Sequence, residues 1–154
     1  MADYKRIPNL EIANARLIFR NFSGKPDEFN KNGERKFGVI IDPEKVDELK
    51  EEGWNIKNTR PNEDGEVLYY LIVKVQYSEY RHPNVYLITH ERKVALEEYN
   101  VSQIDTSDLV EVNLVIQPYY WEVNGKSGIK AYLKTGYFEI QSDSFAEKYE
   151  DIPF

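Results

Sequence analysis

Residues 109–123 and 129–141 form two long alternating runs joined by Asn124-Gly125-Lys126-Ser127-Gly128, and this pattern limits the fold more than any other stretch. On the first run Val110, Val112, Leu114 and Ile116 share one side, with Asn113, Gln117, Tyr119 and Trp121 on the other. On the return run Lys130, Tyr132 and Lys134 lie opposite Ala131, Leu133 and Tyr137. Two glycines in the link can take positive φ, so the pair predicts an extended hairpin. One surface would then combine Tyr119, Trp121, Lys130, Tyr132 and Lys134. Alternation alone leaves the register open, because a slip of one residue reverses a strand.

The remaining chain supplies further strands and one helix. Residues 10–22 read as a long strand, with Ala13, Ala15, Leu17 and Phe19 on a core face and Asn14, Arg16, Ile18, Arg20 and Phe22 opposite. That second face is either a solvated amphipathic surface or a binding surface. Residues 23–34 are rich in turn formers; Lys25 and Lys31 there either contact phosphate or are simply solvated. Residues 35–41 are a strand with Phe37, Val39 and Ile41 on one face. Asp42-Pro43-Glu44 starts a helix: Asp42 can cap, Pro43 suits the first position, and Glu44 suits the positive dipole end. It runs to about Glu52, where Gly53 can supply the left-handed stop. Its apolar stripe, Val46 and Leu49 with Lys50 beside them, is narrow, so one side packs on a sheet. Trp54 and Ile56 are extended, and residues 58–66 are a polar loop. Residues 67–77 are the strongest strand of the middle region, 78–84 a loop and 85–88 a short strand. Residues 89–108 are mixed, with a short helix near Ser102 to Asp105. About five to seven strands with a helix between them suit a mainly β small barrel or curled sheet.

A length of 154 residues with 41% apolar content suits one globular domain. No cysteine is present, which excludes a disulfide framework, a thiol nucleophile and a Cys-based zinc site. No apolar run is long enough to span a membrane, and Met1 to Arg6 do not open a signal peptide, so the chain reads as cytosolic. His90-Glu91 begins like a zinc-protease helix, but Val94 stands where the second histidine is needed. Gly125-Lys126-Ser127 mimics the end of a phosphate-binding loop, but Tyr120 replaces its first glycine. No carboxylate cluster suggests a two-metal nuclease. The chain is expected to be no enzyme and to need no cofactor or metal.

Binding of unpaired nucleic acid fits better. It needs cations for phosphates and flat rings for bases. Aromatic residues make up 14% of the chain. The candidate cations are Arg16, Arg20, Arg35, Lys36, Lys74, Lys126, Lys130 and Lys134; the candidate rings are Phe22, Tyr70, Tyr119, Trp121 and Tyr132. Each alone reads as an ordinary strand residue; their interleaving on shared faces raises the binding reading. The net charge is −7, and residues 142–154 hold four acids against one base, −3, leaving −4 for residues 1–141. A DNA site must therefore be a local basic stripe on an acidic body.

Two resemblances sharpen this. The ending Asp151-Ile152-Pro153-Phe154 resembles the acidic C-terminal tip of bacterial single-stranded DNA-binding proteins. That likeness implies that these four residues engage replication or repair enzymes such as a polymerase, helicase or nuclease, with the phenyl ring in an apolar pocket and the carboxylates at a basic rim. Ile7-Pro8-Asn9-Leu10, Ala15-Arg16-Leu17-Ile18-Phe19-Arg20-Asn21-Phe22-Ser23-Gly24 and the hairpin from Trp121 to Leu133 are similar to a family of bacteriophage single-stranded DNA-binding proteins. That family implies an OB-fold-like Greek-key barrel with one short helix and an extended β-hairpin, working in the cytoplasm of a bacterial host cell. It also implies sequence-independent coating of single-stranded DNA in replication, recombination and repair. The domain division expected is an OB-fold DNA-binding domain over 1–141 and an acidic partner-binding tail over 142–154. A homodimer is left open, and no membrane partner is expected. The alternative is a non-enzymatic adaptor whose tail binds replication enzymes while the core binds no DNA.

Overall fold

In the computed structural model the described residues are 7–28, 30–89 and 92–141. Their strands are β1 (Leu10–Ile12), β2 (Leu17–Asn21), β3 (Lys36–Ile41), β4 (Ile56–Asn58), β5 (Tyr69–Lys74), β6 (Asn84–Thr89), β7 (Arg92–Leu96), β8 (Leu109–Val123) and β9 (Lys126–Ile140). They join in one mixed sheet with the order β1-β8-β9-β5-β3-β2. β4 adds to β5, and the β6–β7 hairpin adds to β9. The architecture is mainly β and OB-like. β1 and β2 occupy the two ends of the strand order and are consecutive in the chain, so residues 13–16 curl the sheet back on itself. The sheet stays open where a Greek-key barrel would close.

The helix α1 (Pro43–Glu52) forms for the reasons its sequence gives. The Asp42 carboxylate accepts from the Glu44 N–H, Pro43 opens the helix, and Gly53 ends it at φ 110°. Its buried side chains are Val46 and Leu49. The short helix expected near Ser102 to Asp105 is a 3-10 helix, Val101–Thr106. β7 was not foreseen: Arg92, Lys93, Val94 and Ala95 are all exposed, so no alternation marks it.

The hairpin β8–β9 turns on Asn124 (φ 52°) and Gly125 (φ 78°). Two successive positive φ values suit a two-residue turn whose twist matches the strands. The return strand therefore starts at Lys126, three residues before the expected Ile129. The register pairs Gln117 with Tyr132, Tyr119 with Lys130 and Trp121 with Gly128. A register shift between Val115 and Ile116 leaves Lys134 without an opposite residue.

Residues 10–22 do not form one strand. Asn14 (φ 50°) and Phe19 (φ 52°) are both left-handed, and the β2–β3 register breaks between Ile18 and Asn21. The break exchanges the two faces beyond Ile18. Phe19, expected in the core, is 63% exposed, whereas Phe22 is fully buried. The Phe22 ring stacks on Phe37 (5.0 Å, 9°) and meets the edge of Phe138 (5.4 Å, 87°). Ala13 is likewise exposed rather than in the core. Around the three rings the core collects Val39, Val73, Ile104 and Ile116. Each such side chain contributes about 1.5–3 kcal/mol by leaving water. No helix among the described residues is long and apolar enough to cross a membrane.

Candidate nucleic-acid interface

Strand pairing carries the alternation of each strand across the sheet. Phe37 pairs with Val73, and Val73 with Ala131, all turned into the core. One step along, Lys36 pairs with Lys74, Lys74 with Tyr132, and Tyr132 with Gln117. These four residues therefore make one row across β3, β5, β9 and β8 on the opposite face. Tyr119, Lys130, Trp121 and Lys126 share that face of the hairpin by the same register.

At one end of this face the rings of Phe19 and Tyr70 meet edge to face, with centroids 5.5 Å apart and planes at 72°. Gly38 lies against Phe19: a Cβ there would come 2.9 Å from Ile18 Cγ1 and 3.4 Å from Phe19 Cδ2. The rings flank a cleft of about 790 Å³ whose lining includes Lys25, Lys36, Lys57, Arg20, Asp27 and Asp105. Lys57 stands opposite Tyr70 in the β4–β5 ladder. At the other end, Tyr119 and Tyr132 meet edge to face at 6.2 Å, and the Arg81 guanidinium carbon lies 3.7 Å from the Tyr132 ring centre. Flat rings interleaved with cations on one strand face suit bases and phosphates together.

Several expected site residues do other work. Phe22 is no base platform, because its ring is sealed in the core. Arg20 donates through Nη1 to the carbonyls of Ile104 and Ser107, 2.8 Å each, and so ties β2 to the end of the 3-10 helix. Arg35 donates through Nη1 to the Phe22 carbonyl at 2.7 Å, and Glu98 lies 3.9 Å from its Nη2. Asp105 completes this junction by accepting the N–H groups of Phe22 (2.7 Å) and Ser23 (3.0 Å). Both arginines are thus held by carbonyls that a phosphate would have to outbid. Arg16 is exposed but lies apart from the paired rings, in clefts with Asp42 and Lys45 and with Asp108 and Glu111. Lys74 keeps Glu34 at 3.5 Å. Lys126 and Lys130 are exposed on the hairpin, and Lys134 lies beside the Arg81 loop. The Tyr77 ring meets His82 at 5.6 Å; its hydroxyl has no hydrogen-bond partner among the described residues, and burial pushes its pKa up to about 12 against the lowering pull of Arg35.

Phe19, Lys57 and Arg81 join the candidate face without having been expected there. Lys57 sat beside a polar loop, and no local pattern marks Arg81, whose ring partners are about forty to fifty residues away. The tip residues Asp151, Ile152, Pro153 and Phe154, the 142–154 tail, and His90-Glu91 lie outside the described residues. Among the described residues no group of three or more His, Cys, Asp or Glu could hold a metal.

Trp121 keeps its place through Gly128. A Cβ on Gly128 would come 3.1 Å from Cζ2 and Nε1 of the indole. Replacing Gly128 by valine should push the ring off the ladder, shift Trp emission to the red, and leave the melting temperature within about 5 °C of wild type. Unshifted emission would mean that the indole does not rest there.

An OB-like sheet with paired rings and a lysine row on one open face belongs to the class of folds that hold unpaired strands. The chain belongs to the phage ssDNA-binding domain family, whose model matches residues 1–154. Its fold is similar to that of the single-stranded DNA-binding protein from bacteriophage Enc34. Against the C-terminally truncated form of that protein the TM-score is 0.54 at 16% identity, covering 88% of this chain and 87% of the other. Against the form in complex with ssDNA it is 0.52 at 14% identity, covering 89% of each. At such identities the likeness concerns the fold. A search of curated proteins returned no match. The family is one of binding proteins, not enzymes.

Proposed function

We propose that this chain coats single-stranded DNA without sequence preference during phage replication and recombination. The observation that carries the reading is the cation-and-ring face: Lys36, Lys74 and Tyr132 in one row, with Phe19 and Tyr70 at one end and Tyr119 at the other. Rings of this kind stack on any base, and lysines meet any phosphate, so affinity comes without base-edge readout. The acidic body, net −7 for the whole chain, confines DNA to that face and weakens long-range attraction to duplex. Asp151, Ile152, Pro153 and Phe154 act as the recruiting tip for replication or repair enzymes, as their likeness to bacterial tips suggests.

Titrating labelled oligo-dT and a matched duplex by anisotropy tests the core reading. Single strands should bind at least tenfold tighter, quench Trp emission and weaken as salt rises. Equal affinity for duplex, or no binding at all, would sink it; the latter would favour the adaptor. Removing residues 143–154 should tighten dT binding at low salt, because four carboxylates no longer compete for the lysine face. Unchanged affinity would count against such competition.

A further inference from the structure

The guanidinium of Arg81 lies 3.7 Å from the centre of the Tyr132 ring and 6.0 Å from that of Tyr119. We infer that Arg81 is an exchangeable cover on Tyr132, which a base displaces on binding and which then takes a backbone phosphate. This rests on the single-strand reading above and adds a contact residue and an order of events to it.

Three observations carry the inference. First, Tyr132 is the ring in the row that includes Lys36 and Lys74, so a strand tracking those lysines arrives at it. Its face is already occupied, and a base can stack there only if the guanidinium leaves. Second, among the described residues no carboxylate lies within ion-pair distance of the Arg81 guanidinium, in contrast to Arg35 and Lys74. Ring contact alone is a weak hold for a cation, whereas phosphate offers a bidentate, charge-assisted partner. Third, Arg81 sits on a loop rather than a strand. Its own N–H is bonded back to the Ser78 carbonyl and hydroxyl, so the side chain can swing while the turn stays closed. The same loop presents Tyr80, 90% exposed, and shares a cleft of about 340 Å³ with Lys134. The displaced guanidinium therefore has an open space with a second cation for the same backbone.

The exchange balances two losses against two gains. The ring gives up a cation and receives a base, and the cation gives up a ring and receives an anion. Arg81 thus contributes to the salt dependence of binding, and Tyr132 to its strength at any salt.

The experiment measures oligo-dT affinity over a salt series for the full chain and for Arg81→Ala, Arg81→Lys and Tyr132→Ala. Arg81→Ala should lower the log–log salt slope by about 0.7, the value for one single-strand phosphate contact. Arg81→Lys keeps the charge and should keep the slope. Tyr132→Ala should weaken binding about 5- to 150-fold with little change of slope. Photo-crosslinking with 5-iododeoxyuridine oligonucleotides should join DNA to Tyr132 in the wild type, which also covers the case of an alanine variant that fails to fold. An unchanged slope in Arg81→Ala, or a Tyr132 that never crosslinks while DNA is bound, would overturn the exchange and leave the wider reading intact. If the wild-type chain binds no dT, the wider reading fails first.

Discussion

Replacing Phe22 by alanine should destabilise the whole fold rather than disable a contact. The ring is wholly buried between Phe37 and Phe138, and deleting such a side chain costs about 3–5 kcal/mol. The Phe22 carbonyl and N–H also take part in the junction built by Arg35 and Asp105, so the collapse would spread to the 3-10 helix. Urea denaturation should show a midpoint lowered by more than about 1 M. DNA binding would fall with it, and a binding assay alone would misread this as a lost stacking platform. Phe22→Leu separates the two meanings. It keeps most of the buried volume and should keep binding, whereas a base platform would not survive loss of its ring. A stable Phe22→Ala protein with weakened binding would contradict the buried position.

The opposite pattern is expected of Phe19 and Tyr70. Phe19 is 63% exposed, meets Tyr70 edge to face and lies against Gly38. Phe19→Leu should leave the unfolding free energy within about 0.5 kcal/mol of wild type, as exposed substitutions do. It should cost about 1–3 kcal/mol in single-strand affinity, roughly 5- to 150-fold. Tyr70→Leu should lose a similar amount. The double variant should lose less than the sum, because each ring orients the other. Phe19 also holds φ at 52°, a conformation that costs a bulky side chain about 1–3 kcal/mol. The strained backbone turns an apolar ring into water, and the proposed stacking of bases on this face would supply a reason for it. Isothermal titration on the three variants checks this; full affinity in the double variant would remove the cleft from the binding face.

Much of this molecule was legible in its residues, and the illegible part has a clear physical origin. Alternation in 109–123 and 129–141 anticipated that Tyr119, Trp121, Lys130 and Tyr132 share a side, which the ladder register shows. Asp42, Pro43 and Gly53 marked both ends of the helix, because capping chemistry is local. The reading of 10–22 failed at Phe19, because period two assumes an unbroken strand and one left-handed residue inverts everything after it. At Arg20 and Arg35 a sequence shows the charge but not the carbonyls that hold it in the fold. Arg81 was passed over for the converse reason, as its importance arises from rings distant in the chain.

The strand β9 pairs with β8, β5 and β6 at once, two of those pairings being parallel. It is also the last strand of the order to leave a ribosome. Until about residue 140 has emerged, β5 and the β6–β7 hairpin lack their shared neighbour, and no earlier segment can substitute. The parallel pairings of β9 therefore close over long chain separations, which slows assembly, whereas its pairing with β8 is a local hairpin. The edge of β6 that β9 covers stays open until a strand about fifty residues further along the chain has been made.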